Sequence, residues 1–171
     1  MLLLGLDPGL RFTGWGLIEA TGSRLRHVAC GTVASPKGED LATRLRCLHE
    51  GVAEVVERWQ PQEAGVEETV VNRNAGSSLK LGHARGVVIL AAARAGLAVR
   101  EYPSMVVKRA VTGTGHATKE QVAMMVRFLL PGVAEATGQD ATDALAVAIC
   151  HAHYRATERR VTGAVRQGAL P

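Results

Sequence analysis

The sequence predicts an α/β fold: a mixed central sheet that contains an antiparallel meander and carries helices on both faces. Two patterns lead to this prediction. Three strand-like segments follow one another at the N-terminus with only turns between them, and helix-like and strand-like segments then alternate along the rest of the chain. The 171 residues fit one domain, which we expect over residues 1–157, followed by a flexible tail over residues 158–171.

The first three segments predict the meander. Leu2–Leu6 is a continuous apolar run, typical of a buried central strand, and the Pro8-Gly9 pair after it indicates a turn. Phe12–Ala20 has β-forming residues between glycines, and Arg24–Val33 is the third segment. Because only short turns join these segments, neighbouring strands should pair antiparallel.

The first helix-to-strand alternation follows. Asp40 is placed to cap a helix that continues to about Arg58. The short apolar segment Ala64–Val66 predicts the next strand. Asn74 is then a suitable N-cap for a long helix that ends near Ala95, where a glycine follows.

The remaining elements alternate in the same way. Leu97–Glu101 predicts a strand and Met105–Val111 a helix. Thr118 is placed to cap a further helix that Pro131 ends. A last helix is expected over about Asp140–Arg155.

Composition excludes several classes of protein. Hydrophobic residues make up 47% of the chain and charged residues 21%, which is the balance of a globular protein and not of a disordered one. The three cysteines form no C-x-x-C pair, so neither a disulfide framework nor a zinc site is predicted. No apolar run is long enough to span a bilayer. We therefore expect a cytoplasmic protein with reduced thiols and no membrane partner.

Positive charge is concentrated in the middle of the chain. Residues 69–130 contain nine Lys and Arg residues but only two acids, Glu101 and Glu120, while the whole chain has a formal charge of +4. A basic segment of this kind suits a nucleic-acid-binding surface, and it equally suits a solvated surface of Lys and Arg. Charge alone leaves both interpretations open.

Four acids stand out by position. Asp7 follows the first apolar strand, and Glu67 follows the later apolar segment. Asp140 and Asp143 have the i, i+3 spacing that places them on one helix face. Each acid alone has a simpler interpretation, as a turn residue, a strand-end charge or a helix N-cap. Their joint placement favours a carboxylate cluster.

A carboxylate cluster suggests a metal-dependent reaction. Buried like charges repel one another unless a positive charge offsets them. Carboxylate oxygens suit hard cations such as Mg²⁺ or Mn²⁺. Two such ions, about 3.5–4 Å apart, can activate a water and stabilise the leaving oxygen in phosphodiester cleavage.

Four ordered motifs resemble those of RuvC-type junction endonucleases, and four motifs in order are far more specific than one. The resemblance extends from about Leu4 to His153. The motifs are Leu4-Gly5-Leu6-Asp7-Pro8-Gly9 with Thr13-Gly14-Trp15-Gly16; Val66-Glu67-Glu68 with Asn74-Ala75 and the segment 79–86; Val107-Lys108-Arg109-Ala110-Val111 with Gly113-Thr114-Gly115 and Lys119; and Asp140-Ala141-Thr142-Asp143-Ala144-Leu145-Ala146.

The resemblance implies a ribonuclease H-like fold and a nuclease that cuts four-way (Holliday) DNA junctions. It implies that Asp7, Glu67, Asp140 and Asp143 are the catalytic and metal-binding residues, with Mg²⁺ or Mn²⁺ as cofactor and two ions per subunit when DNA is bound. It also implies that Lys108 and Lys119 lie near the scissile strand. The basic segment then gains a role in binding DNA phosphates. Its proposed contact residues are Arg73, Lys80, Arg85, Lys108 and Lys119.

The resemblance also implies partners. A junction needs two symmetric nicks, so a homodimer with two sites is expected. The predicted helix over residues 79–95 is the candidate interface, because Gly82, Ala84, Gly86 and Ala91 would allow close approach. Family resemblance adds the RuvA–RuvB branch-migration complex as a further partner.

The sequence departs from the family pattern at two positions. Val70 stands where the family typically has a bulky aromatic residue that wedges against bases at the junction, and Gly76 stands where the family often has an acid. We expect Val70 and Arg73 to share the wedge role here. Arg73 could stack its guanidinium on an exposed base.

Three other functions remain as alternatives. A Gly-x-Asp-x-Gly opening also occurs in sugar-kinase and actin-like ATPases, although those proteins need two such domains. A non-catalytic DNA-binding module is the second, yet it would gain nothing from four clustered acids. Another ribonuclease H-like nuclease, acting on RNA–DNA hybrids, is the third, and the order of the motifs favours the junction nuclease over it.

Overall fold

A computed structural model describes residues 1–68 and 74–166 of the chain. Its centre is a five-stranded mixed sheet in the order β3-β2-β1-β4-β5. The first three strands pair antiparallel, and β4 and β5 add parallel to β1. The strands are β1 Leu2–Asp7, β2 Phe12–Thr21, β3 Arg24–Ala34, β4 Glu63–Glu68 and β5 Ala98–Pro103.

In the described part of the chain, five helices cover the two faces of this sheet, so the predicted α/β fold with its antiparallel meander is confirmed. One helix is longer than expected: the last continues to Arg166, beyond the predicted end at Arg155. The proposed boundary between residues 157 and 158 therefore lies within a helix, and the flexibility of the tail stays a prediction. The helices are α1 Leu41–Trp59, α2 Ala75–Arg94, α3 Ser104–Thr112, α4 Lys119–Leu129 and α5 Gln139–Arg166.

Side chains cap three helices as the sequence predicts. The carboxylate of Asp40 accepts a hydrogen bond from Thr43 N at 2.9 Å. Asn74 caps α2 in the same way. Thr118 and Gln121 form a reciprocal capping box at the start of α4. Each cap satisfies backbone N–H groups that the helix leaves unpaired, and such a cap typically contributes about 1 kcal/mol.

Two apolar layers hold the sheet between helices. Leu3 lies in the layer shared with α3, α4 and α5, whereas Leu4 and Leu6 lie in the layer shared with α1 and α2. This alternation follows from the two-residue period of a strand. Because both faces are covered, β1 can be apolar at every position from 2 to 6, which explains its continuous run.

A row of glycines sets the position of α5 on the sheet. Gly5 pairs with Gly16 on one side and with Gly65 on the other. A Cβ at Gly5 would lie 2.0 Å from the carbonyl oxygen of Ala144, and one at Gly16 would lie 2.8 Å from the side chain of Leu145. The helix backbone therefore lies directly on β1 and β2, and its position along these two strands is fixed by contact.

Candidate active site

Two parallel strands bring the first two acids together. Leu6 of β1 lies opposite Val66 of β4 in a parallel ladder. Asp7 and Glu67 come next on their strands, so both reach the same edge of the sheet. The sequence prediction that both acids stand at strand ends is confirmed.

Helix α5 brings the other two acids to that edge. The helix begins at Gln139, so Asp140 lies inside its first turn and is not the cap that the simpler interpretation required. Asp143 follows one turn later, and its side chain is 17% exposed. Both carboxylates are close enough to Asp7 to raise its pKa.

The acids line a small cleft of about 150 Å³. Three of the four predicted carboxylates border it, while Asp140 stands outside its wall. Two lysines face the acids across the cleft. The lining residues are Asp7, Glu67, Ser104, Val107, Lys108, Lys119, Val122, Asp143 and Ala146.

Burial and mutual repulsion perturb the acids. Burial, and then the charges of Glu67, Asp143 and Asp140, raise the pKa of Asp7 to about 7. Burial is also the main cause that raises the pKa of Glu67, and a hydrogen bond from Ser104 opposes it. Close carboxylates cannot all ionise without compensation. The cleft is therefore poised to accept positive charge.

Lys119 supplies part of that charge. Its Nζ lies 3.4 Å from Oδ2 of Asp143. The charge of Asp143 is the main cause that raises the pKa of Lys119, and Asp7 and Glu67 add to it. The lysine stays protonated at neutral pH and can meet a phosphate as a point charge.

Two polar residues that the sequence analysis did not single out support the acids. Ser104, the first residue of α3, donates a hydrogen bond to Glu67. Gln139 Nε2 donates to Oδ1 of Asp143 at 2.8 Å. A sequence signal existed for Gln139, because it stands four residues before Asp143 on one helix. For Ser104 the only signal was its place just after a strand that ends at the same edge.

The proposed DNA-binding residues occupy different settings. Lys108 and Lys119 lie at the cleft, and Lys80 is exposed on α2. Arg85 forms an ion pair with Glu101 of β5. That pair reduces the availability of Arg85 for a phosphate. Arg73 and Val70, the proposed wedge, fall outside the described residues.

Two of the four residues predicted for the dimer surface on α2 do not lie on an outer face. Ala84 and Ala91 face inward and are buried in the core. Gly82 and Gly86 do face outward, and a Cβ at either would meet nothing within 4 Å. Leu79 is 63% exposed on the same helix. Small residues that line a buried face cannot be told from those on an outer face by composition alone.

The donor set suits a hard divalent cation, since carboxylate oxygens are its preferred ligands. Within the part of the chain that the structure describes, no three His, Cys, Asp or Glu side chains converge into a ready-made metal site. Gln139 and Lys119 engage the two oxygens of Asp143. Each oxygen of Asp143 keeps a second lone pair for a cation.

Among the described helices, none is both long and apolar enough to cross a bilayer.

Comparison with known proteins identifies the family. The family model for crossover junction endodeoxyribonuclease RuvC matches residues 3–151. A relative of that name from Gluconacetobacter diazotrophicus is 60% identical over 164 residues, which cover 96% of this chain and 97% of the relative. Another of that name from Rhodospirillum rubrum is 62% identical over 156 residues, or 91% and 92% of the two chains.

Comparison with solved structures gives the same result. The structure of T. thermophilus RuvC in complex with a Holliday junction substrate matches with a TM-score of 0.86 and 36% identity, over 92% of this chain and 96% of that one. The yeast mitochondrial Holliday junction resolvase Ydc2 matches with a TM-score of 0.69 over 96% of this chain and 85% of that one. At 9% identity the second match shows only a shared fold.

The fold and the acid-lined cleft define a nuclease of the ribonuclease H-like class. This chain belongs to the RuvC family of crossover junction endodeoxyribonucleases. The predicted family, fold class and phosphodiester-hydrolysing activity on four-way junctions are thus confirmed. Dependence on a divalent metal is general in this family.

Proposed function

We propose that this chain resolves four-way DNA junctions by paired symmetric nicks, with Asp7, Glu67, Asp140 and Asp143 as its catalytic and metal-binding residues. The observation that carries the proposal is the buried acid cluster itself. In a cleft that two lysines border, burial and then the neighbouring acids raise the pKa of Asp7, and burial and then Asp143 raise the pKa of Glu67. Such an arrangement costs stability unless a cation offsets the repulsion between the acids.

Each side chain at the cleft has a role in this proposal. The acids would hold Mg²⁺ or Mn²⁺, two ions in this proposal, and the metal would supply an activated water and stabilise the charge on the leaving oxygen. Lys108 and Lys119 contact the scissile phosphate and stabilise its developing negative charge. Ser104 fixes the orientation of Glu67.

Binding of DNA extends beyond the cleft in the proposal. Lys80 lies exposed on α2 and neutralises backbone phosphates together with Arg73, and Arg85 contributes only if its pair with Glu101 opens. Val70 and Arg73 form the junction wedge. Val70 and Arg73 lie outside the described residues.

We propose a homodimer, because two symmetric nicks require two active sites and each subunit supplies one. Its proposed interface is the outward face of α2, where Gly82 and Gly86 allow close backbone approach and Leu79 and Leu90 supply exposed apolar surface. The RuvA–RuvB complex is the proposed further partner, by family resemblance, and the cytoplasm is the proposed location. Sedimentation at micromolar concentration with junction present tests the dimer.

The decisive test compares three substrates. A synthetic four-way junction, a matched duplex and an RNA–DNA hybrid are incubated with the protein, with and without Mg²⁺, and the nicks are mapped. Paired nicks at symmetric positions, only in the junction and only with the metal, are expected. Equal cleavage of hybrid and junction would contradict the proposed substrate.

A further inference from the structure

The loop that follows Asp7 presents a cation and an aromatic ring side by side. The guanidinium carbon of Arg11 lies 5.0 Å from the centroid of the Phe12 ring, within the range of a cation–π contact. Both residues are exposed, and Phe12 keeps 38% of its surface in solvent. The pair therefore offers a planar apolar face and a positive charge to a ligand at the same time.

The backbone beneath this pair is fixed from two other elements. The carbonyl oxygen of Leu10 accepts hydrogen bonds from Ser35 Oγ at 2.5 Å and from Arg44 Nη2 at 3.1 Å. Ser35 N also donates to the carbonyl oxygen of Arg11 at 3.0 Å. A loop that is held before binding loses little further entropy when a ligand arrives.

The turn is also closed from within. The buried hydroxyl of Thr13 donates to the carbonyl oxygen of Gly9 at 3.0 Å. A Cβ at Gly9 would lie 2.2 Å from the carbonyl oxygen of Phe12, so the chain approaches itself as only glycine permits. The ring and the guanidinium are thus presented by a compact turn.

This turn stands at the catalytic edge of the sheet. Asp7 pairs with Gly14, and Phe12 begins β2 two residues before Gly14, at the same edge. The turn joins β1 to β2, whereas Lys108 is on α3, which packs against β4 and β5. A DNA strand whose phosphate reaches Asp7 would therefore meet cations on both sides of the cleft.

Within the described residues, Arg11 forms no ion pair with an acid, unlike several other arginines. In the described part of the chain, Arg26 pairs with Glu19 and Arg46 pairs with Glu50. No such pair is formed by Arg11 within those residues. A guanidinium without an acidic partner, near a site that cleaves DNA, can bind a phosphate.

We propose that Arg11 and Phe12 form a nucleotide-contact site, in which Arg11 binds a phosphate of the junction strand and Phe12 stacks on an unpaired base beside it. An exposed ring is sequence-tolerant in this role because every base has a π-face. The inference rests on the proposed function, since it takes junction DNA as the ligand. It adds to the acidic cleft a contact on its β2 side.

Binding without metal tests this site apart from cleavage. Fluorescence anisotropy in EDTA measures the affinity of the variants Arg11→Gln and Phe12→Leu for a four-way junction that carries 2-aminopurine at the crossover. Matched controls are Arg24→Gln, at the opposite end of the β2–β3 hairpin, and Phe128→Leu, an exposed ring on α4. Each control makes the same chemical change away from the cleft.

Distinct effects are expected from the two variants. Arg11→Gln should weaken binding about tenfold and should reduce the slope of log affinity against log salt by about 0.9. Phe12→Leu should weaken binding about 5- to 100-fold with an unchanged salt slope, because it removes stacking and not charge. It should also alter the 2-aminopurine fluorescence that the wild-type protein produces. The controls should stay within about twofold of wild type.

Other outcomes would overturn the inference. Equal weakening by Arg11→Gln and Arg24→Gln would assign the effect to net charge, and an affinity that Phe12→Leu leaves unchanged would exclude stacking. Failure of the proposed function has a different signature, because the wild-type protein would then leave the junction intact in Mg²⁺. The two failures are therefore distinguishable.

Discussion

The carbonyl oxygen of Asp140 lies only 1.9 Å from the point that a Cβ of Gly14 would occupy. Gly14 is the strand partner of Asp7, so this contact places the start of α5 directly beside the first acid of the proposed site. Side chains longer than hydrogen cannot fit between the helix and the strand. The missing Cβ thus determines how far the acids of α5 stand from Asp7.

Gly14→Ala should therefore disrupt the site. An added methyl group must push the first turn of α5 away, and displacements of about 1 Å can reduce catalysis about 100-fold. Junction cleavage and the urea midpoint of unfolding measure the effect. Gly138→Ala is the control, since a Cβ there meets nothing within 4 Å although the residue directly precedes α5. Similar losses from both changes would argue against close packing as the cause.

Asp7→Asn should abolish cleavage while junction binding persists. The amide keeps the shape of the carboxylate but loses its charge and its quality as a ligand for a hard cation. A decrease of several orders of magnitude in nicking rate is expected, with an affinity equal to or tighter than that of wild type because a negative charge is gone. Gel assays of cleavage and binding on one substrate give both values. Undiminished nicking would refute the catalytic assignment.

The same change should stabilise the metal-free protein at high pH. The ordinary pKa of this carboxyl is 3.8, whereas in the fold it is about 7. Between these values the folded protein keeps a proton that the unfolded chain has lost, so stability falls as pH rises through this window. Asn cannot ionise and escapes this loss, which is at most about 4 kcal/mol.

Unfolding in EDTA at several pH values tests this expectation. Asp7→Asn and wild type should have similar stability near pH 4, and the variant should be the more stable of the two at pH 8. Added Mg²⁺ should narrow the gap by stabilising wild type. A variant that is less stable than wild type at pH 8 would show that Asp7 carries no electrostatic penalty in the fold.

Lys119→Gln should impair both catalysis and phosphate binding. The lysine Nζ lies beside Asp143 at the cleft, and the side chain is 66% exposed and free to reach DNA. Loss of one positioned charge should reduce cleavage about 10- to 1000-fold and should reduce the salt slope of binding by about 0.9. Lys37→Gln, a change of equal charge at an exposed turn, is the control. If Lys119→Gln behaves like Lys37→Gln in both assays, Lys119 acts only as a surface cation.

Strand ends and helix spacing made most of the acid site predictable. Asp7 and Glu67 each end an apolar run, and parallel strands bring their ends to one edge. Asp140 and Asp143 share a helix face because of their spacing. The sequence did not predict how closely α5 approaches the sheet, because that distance depends on which glycines face the helix.

Contacts that depend on sheet order were not predictable. Arg85 pairs with Glu101 because α2 packs near β5, and nothing local in the sequence favours that acid over Glu68. The length of α5 was underestimated for a local reason. Residues 156–166 include several polar and charged residues and a glycine, yet most of them are tolerated in a helix.

A partly buried polar cluster of Glu63, His151 and Arg155 anchors the middle of α5 to the sheet. Arg155 Nε donates to Glu63 Oε1 at 2.7 Å, and His151 Nε2 lies 3.1 Å from Glu63 Oε2 at an angle unsuited to a hydrogen bond. Tyr102 Oη and His151 Nδ1 are hydrogen-bonded at 2.8 Å. Glu63 begins the strand that Glu67 nearly ends, so the middle of α5 is tied to the end of β4 that is remote from the acids.

Glu63→Ala should therefore destabilise the fold strongly. It leaves Arg155 without its acceptor and places His151 beside an empty volume, and each unsatisfied buried group costs roughly 1–3 kcal/mol. Glu63→Gln keeps an acceptor for Arg155 and should recover part of the loss. Arg46→Ala serves as control, because its partner Glu50 is exposed and such pairs contribute about 0–1 kcal/mol. Urea unfolding ranks the three variants, and a Glu63→Ala protein as stable as Arg46→Ala would show that this anchor contributes nothing to holding α5.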